Sequence, residues 1–459
     1  MNGLGSFWGW VSLAGLAVAT VTACGSDDPG TQGIDPAAAE ATVSFIRHDN
    51  PTYLIADKEF FAAYMSAHPG VKVADVSVDF RALATALNTE LKADRFSYDL
   101  VLVPPGRVCS YADNVTDVPD DVVTLAQAQQ LFFAAPLEGS ICGGRLKGLP
   151  VEYNLEYGGV VVNLEKYQAR FPGKPPGWSD WQSFIAEAAA LTEYDASGRP
   201  AANGLDIDPG WSPPTRHMLF AQILQRKGRY LSASGDNTLD LQTPEARDSL
   251  TAMVDWVNRD KVMFTSLVPV NNTSVAKRLA AGATGYGWGD PGKPLSCMGY
   301  MGTWGVPATK SLVPAGKTGR YEFFALPPMV GTEHRFVTDS GWSFVVPRTS
   351  KNQKLAWDVA RSLALSPEAS RKWAAITGSL PALRSNGSPA AAALDPVLAR
   401  VQPLLEHGHW RGYVPAEALD DANATIVGGF FAVVRGSKTI DQALKEMQDA
   451  ANAAIAKFH

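Results

Sequence analysis

Twelve tryptophans stand among the 459 residues, and four of them, Trp211, Trp288, Trp304 and Trp342, lie in Gly- or Pro-rich stretches. A loop of that composition presents a large ring where packing gives no reason to bury it. These four are therefore candidate platforms for the flat face of a ligand. Trp178, Trp181, Trp256, Trp357 and Trp373 fall on helices or helix starts, where packing explains them. Reaction chemistry is harder to find. The seven histidines are scattered except for His407 and His409, which read as a solvated turn and not as a zinc site. No Gly-x-Ser-x-Gly pentapeptide is present to form a nucleophile elbow. Gly285-Tyr286-Gly287-Trp288-Gly289-Asp290 puts Asp where a dinucleotide fingerprint needs glycine, and it lacks the Gly-Lys-Ser/Thr of a P-loop. The paired carboxylates of a glycosidase stay open, because their separation of roughly 5–9.5 Å is spatial and leaves no sequence spacing. The balance favours a binder over an enzyme, with no metal and no cofactor.

The elements that would position such residues alternate. Ala41 to Ile46 is a short apolar run with β-branched residues, and Asp57 then precedes Phe60, Phe61, Tyr64 and Met65 at helical spacing. Val71, Val73, Val76 and Val78 largely alternate, Leu83, Leu87 and Leu91 recur every fourth residue, and Tyr98 to Val103 is again a continuous strand. This β-α-β-α-β order implies a mostly parallel sheet with helices on its faces. A second such unit starts at Gly158 to Val162 and includes helices at Trp181 to Leu191, His217 to Lys227 and Pro244 to Val257. Later come a strand at Phe344 to Val346, a helix at Gln353 to Leu365, and the stripe Ile440, Leu444, Met447, Ala451 and Ile455 of a last helix.

A chain of this length holds more than one core, since single cores stop growing at roughly 250–300 residues. The 46 acidic and 40 basic residues give a net charge of −6 without blocks, which offers no footprint for nucleic acid. Val11 to Val21 is an apolar run of signal-peptide length ending in small residues. Val21-Thr22-Ala23-Cys24 resembles a bacterial lipobox, so Cys24 is the expected lipid-bearing N-terminus of the mature chain. Residues 1–23 would be the signal and 24–39 a polar tether. Met1 to Trp10 lacks Lys and Arg, and an ordinary secretory signal is the alternative.

Several segments in order resemble the family 1 extracellular solute-binding proteins, the maltose-binding type. They are Val76 to Asp79, Leu87 to Leu91 and Tyr98-Asp99-Leu100-Val101; Lys147-Gly148-Leu149-Pro150 and Gly158 to Tyr167; Pro175 to Trp181; Leu239 to Ala246; Ser366 to Ala369 with Gly378 to Ala382; and Gly436 to Leu444. The resemblance covers nearly all of the expected mature chain. It implies a two-lobe α/β fold of the periplasmic-binding-protein type (type II), with a hinge and an interlobe cleft that closes on the ligand. Crossings are expected near Glu152 to Leu155, Ala325 to Pro327 and Ile376 to Gly378. One lobe would be residues 40–152 plus 327–376, the other 155–325 plus 378–459. Cys109 and Cys142 fall in one expected lobe, which favours a disulfide between them; three buried thiols, with Cys297, is the other reading.

The resemblance also implies a role: capture of a mono- or oligosaccharide for the permease of an ATP-binding-cassette importer, by a monomer held at the bacterial cell membrane through its lipid. A sugar needs aromatic platforms for its C–H faces and short polar side chains for its hydroxyls. Trp288 falls where the family carries a Trp after a "G-x-W" strand end, Trp342 where a glycine-rich loop enters the cleft, and Trp211 in another cleft loop. Asp49, Asn50, Glu152, Tyr153, Asp208 and Asp339 are the expected polar contacts. A polyamine or a glycerophosphodiester is the alternative ligand. Excess acidic cleft residues would favour a cation, and an inward Arg107 or Arg216 an anion.

Overall fold

The computed structural model describes residues 41–153, 158–207, 212–234, 238–267, 295–313, 319–338, 340–392, 396–406, 408–410 and 416–457. The expected signal and tether with Cys24, and the candidates Asp208, Trp211, Trp288 and Asp339, lie outside these residues.

Strand β1 (Ala41–His48) is buried from Phe45 to His48, on both faces of its sheet. Asn50 then caps helix α1 (Pro51–Ala67), with Pro51 in the first turn where its missing N–H costs nothing. The helix therefore starts before Asp57, which the periodicity marks as its beginning. β2 (Val71–Val78) pairs parallel with β1 along its whole length, and β3 (Leu100–Val103) pairs with the other edge. Asp99, just before β3, accepts hydrogen bonds from the Ser44 amide at 2.9 Å and the Ser350 hydroxyl at 2.7 Å. Burial works to raise its carboxyl, but these bonds and that from Asn352 outweigh it and hold the group below its ordinary range.

A hairpin, β4 (Ile141–Cys142) and β5 (Arg145–Leu146), leads to β6 (Leu149–Pro150) and β7 (Glu152–Tyr153). The second sheet is built from β8 (Gly159–Asn163), β9 (Glu193–Tyr194), β10 (Pro200–Asp206), β11 (Ser296–Tyr300) and β12 (Tyr321–Ala325), in the order β12-β8-β11-β10-β9. Helices α2 (Trp181–Leu191), α3 (Ser212–Gln225) and α4 (Pro244–Asn258) lie between its strands in sequence, and the short α5 (Gly305–Ser311) follows β11. Asp180 and Thr243 cap α2 and α4. β13 (Phe336–Thr338) comes next, and β14 (Ser343–Val345) then enters the first sheet, whose order is β2-β1-β3-β14-β6. α6 (Gln353–Ala364) and α7 (Pro367–Thr377) follow, then β15 (Leu380–Pro381), β16 (Gly408–Trp410), α8 (Ala416–Val434) and α9 (Ile440–Ile455). Residues 408–410, expected in a turn, form β16 because β13 supplies a parallel partner for their backbone.

Both sheets are mixed and less parallel than expected. β14 runs antiparallel to β3 and β6, and β8 runs antiparallel to β11 and β12. Each of these strands follows a passage of the chain from one sheet to the other. Each sheet carries its own core. The first gathers Phe45, Leu100, Phe344, Trp357 and Trp373; the second gathers Val160, Val162, Phe220, Met298, Leu444 and Met447. Trp181 stacks on Trp256 with ring centroids 5.8 Å apart, in keeping with a packing role for the helical tryptophans. A third, smaller cluster joins Tyr153 and Leu380 of β7 and β15 to Val161 and Phe323 on the opposite face of the second sheet. Val337, beyond the expected crossing at Ala325 to Pro327, still packs in the second core.

A disulfide joins Cys109, in the turn Val108–Tyr111, to Cys142 of β4. Cys297 is a buried free thiol pushed up to about 12 by burial, which leaves it unreactive at neutral pH. The disulfide spans a sequence separation of 33, and loop-closure entropy for that length is about 3–4 kcal/mol. Replacing both cysteines with alanine is expected to lower stability by about that amount, read from the urea midpoint of the paired variant against the oxidised parent.

Candidate functional site

The end of β1 and the chain's passage between the sheets meet at one buried cluster. β1 delivers His48. The Asn50 cap, whose Oδ1 accepts from the Thr52 amide and hydroxyl at 3.0 Å each, turns α1 so that Tyr53 comes back over the strand end. The Tyr53 hydroxyl donates to Glu152 Oε2 at 2.5 Å, and the Trp342 amide to Glu152 Oε1 at 3.4 Å. The Val151 amide returns a bond to the Trp342 carbonyl at 3.0 Å. The Trp342 ring stacks on His48 at 4.2 Å and 12°, and Tyr53 meets His48 edge-on at 4.8 Å. Gly341 makes this approach possible: at φ +110°, a Cβ there would sit 2.4 Å from the Glu152 carbonyl oxygen.

A second layer lies behind the rings. Tyr53 packs edge-on against Trp373 at 4.9 Å, and the Trp373 indole N–H donates to Asp57 at 2.7 Å. Arg47, fully buried, pairs with Asp57 at 2.7 Å and with Asp75 at 2.5 Å. Burial drives the Asp57 carboxyl up, against the pull of Arg47. Burial also pushes His48 down to about 3, helped by the charge of Arg47, so its ring is neutral at physiological pH.

Of the residues singled out from sequence, Glu152 and Trp342 are brought into contact. Asn50 is used as a helix cap, and Asp49 is exposed beside it. Tyr153, fully buried, packs its ring 5.8 Å from Phe133 in the third cluster. Trp304 also packs on that cluster. It stands between the end of β11 and the start of α5, half-buried, and its indole nitrogen is shielded from solvent without a hydrogen-bond partner among the described residues. Gly302-Thr303-Trp304 follows the end of β11. Arg107 and Arg216 are both buried, and Arg216 donates to Asn423 at 2.8 Å. His48 and Tyr53 escaped sequence reasoning, although Asn50-Pro51 carried the helix-start signal that places both.

Among the described residues no group of His, Cys, Asp and Glu could hold a metal, and no helix is long and apolar enough to cross a membrane. The carboxylate of Glu152 accepts from the Tyr53 hydroxyl and the Trp342 amide, and the rings of His48, Tyr53 and Trp342 cover one another.

The model of the bacterial extracellular solute-binding protein family matches residues 59–398. The chain belongs to that family. It is therefore extracytoplasmic, and its family is one of binding proteins. No curated protein sequence matches it. Solved structures share its fold at low identity. Maltose-bound MalE3 of T. maritima is 13% identical, with 90% of this chain and 99% of that one covered and a TM-score of 0.69. A solute-binding protein of Thermotoga lettingae bound with α-D-tagatose is 18% identical, with 90% and 100% covered and a TM-score of 0.70. The cyclic α-maltosyl-1,6-maltose binding protein of Arthrobacter globiformis is 18% identical, with 91% and 100% covered and a TM-score of 0.67. The two sheets of this solute-binding protein are the two-domain α/β fold of these structures.

The neutral His48 sets a pH dependence. Its folded pKa of about 3 lies below the ordinary value of 6.5, so between those values the unfolded chain binds a proton that the folded one excludes. Its contribution to stability is lost as pH falls through that window, by about 1.4 kcal/mol per pH unit. Asp57 slopes the opposite way, and comparison with His48→Phe, which keeps a ring against Trp342, cancels it. Urea unfolding of both proteins from pH 7 to pH 4 is expected to show the parent losing ground on the variant.

Proposed function

We propose that this protein is the solute-binding component of an ATP-binding-cassette importer and that its solute is a mono- or oligosaccharide. The sugar would be held in a cleft between the two bodies and delivered, without turnover, to a membrane permease. The observation that carries this reading is Trp304, a half-buried indole at a strand end beside the crossing, whose shielded N–H has no hydrogen-bond partner among the described residues. A ring so placed can stack on a sugar face and donate to a hydroxyl. The bound ligands named for two of the similar structures, maltose and tagatose, are sugars. His48, Tyr53, Glu152 and Trp342 act in this reading as the rigid wall behind the site. One lobe carries the first core and the other the second, and the packing of Val337 supports placing the return to the first lobe after Thr338. The protein acts as a monomer, tethered through a lipid on Cys24.

A thermal-shift panel of sugars, polyamines and glycerophosphodiesters tests the ligand class, because a solute bound only by the folded state raises the midpoint. A sugar is expected to do so, and Trp304→Ala to weaken it by about tenfold or more with little change in the unliganded midpoint. Trp342→Ala, a truncation inside the first core, should instead cost about 3–5 kcal/mol of stability. A response confined to cations or phosphodiesters would overturn the sugar, and release of shortened sugars from an oligosaccharide would overturn the binding-only role. For the tether, Cys24→Ser is expected to move the protein from the membrane to the soluble fraction of cells, and unchanged fractionation would refute it.

A further inference from the structure

A groove of about 470 Å³ lies between α5 and the C-terminal half of α7, and none of His48, Tyr53, Glu152, Trp304 and Trp342 is among the residues that line it. Its walls come from both bodies. α5 packs on β12 of the second sheet, whereas α7 packs on α1 and α6, which cover the first. Much of the lining is apolar, including Pro307, Leu380 and Leu398. Two cations line it as well, Lys310 from α5 and Arg371 from α7. Both are exposed, and neither side chain has an ion pair or hydrogen bond among the described residues. No Asp or Glu is among the described residues that line the groove. Thr303, only 2% exposed, is also part of the wall, and its hydroxyl lacks a hydrogen-bond partner among the described residues. A volume of this size is within the usual range for small-molecule sites.

We propose that this groove is a second ligand site, for a small organic anion with one carboxylate or phosphate group and an apolar body. The anionic head lies between Lys310 and Arg371, which gain charge-assisted hydrogen bonds they otherwise lack. The body covers the apolar wall beside Pro307 and Leu398, and the Thr303 hydroxyl gains a partner. Because the two cations belong to helices of different bodies, the occupant bridges them.

Phenyl phosphate is a suitable probe, with inorganic phosphate and phenol as its separate halves, measured by calorimetric titration of the purified protein. Phenyl phosphate is expected to bind, and each half to bind at least about tenfold more weakly. The double variant Lys310→Glu/Arg371→Glu, at two exposed positions, should lose binding by a similar factor or more. Ala375→Trp, which fills the groove and leaves the charges in place, should also abolish it. Failure of phenyl phosphate to bind at millimolar concentration would overturn the proposal. Equal binding of inorganic phosphate, or unchanged binding in either variant, would overturn it too. None of these readouts depends on the identity of the imported solute.

Discussion

A carboxylate with no exposed surface sits on the strand by which the chain leaves its first sheet. Glu152 can occupy β7 only if donors meet it there, because an unpaired buried charge costs several kcal/mol. The Tyr53 hydroxyl and the Trp342 amide are among those donors. That requirement sets the angle at which α1 leaves its Asn50 cap and the closeness with which Gly341 passes the Glu152 backbone. The partner of β7 is β15, with Glu152 opposite Pro381 and Tyr153 opposite Leu380. Three passages of the chain are thus held in register by one acid and one short ladder.

The apolar counterpart is the third cluster. In β8, Val160 and Val162 face the second core, while Val161 turns to Tyr153, Leu380 and Phe323 at the junction. One strand therefore serves two cores through its period-two alternation. Gly378, the left-handed cap of α7, brings that helix end against Pro307 of α5, where a Cβ would meet the proline ring at 2.4 Å.

Much of the fold was legible because burial writes a period into the chain. The stripe ending in Met447, Ala451 and Ile455 is the buried face of α9, and Gln353 to Leu365 marks α6 to within one residue. Thr243-Pro244 marks the start of α4 by its capping chemistry. Strand direction was less readable, since β8 and β14 carry the same apolar signal whether they run with or against their neighbours. The cluster around Glu152 was half visible. Glu152 and Trp342 stood out by type and by the family pattern, but their contact joins residues 190 positions apart. His48 lies just past the apolar run Ala41 to Ile46, and it packs against the ring of Trp342, which arrives just before β14. Asn50-Pro51 carries the signal of a helix cap, and Asn50 serves as one.

The order β2-β1-β3-β14-β6 has a consequence for synthesis. β3 and β6 are successive strands of this sheet along the chain but do not pair, and the strand that fits between them ends at Val345. α6 and α7, which complete the first core with Trp357 and Trp373, come later still. The N-terminal half of the chain consequently cannot close its own sheet as it emerges from the ribosome, and the loop that must be closed first is long. For an extracellular protein, that delay keeps the nascent polypeptide open during the interval when it still has a membrane to cross.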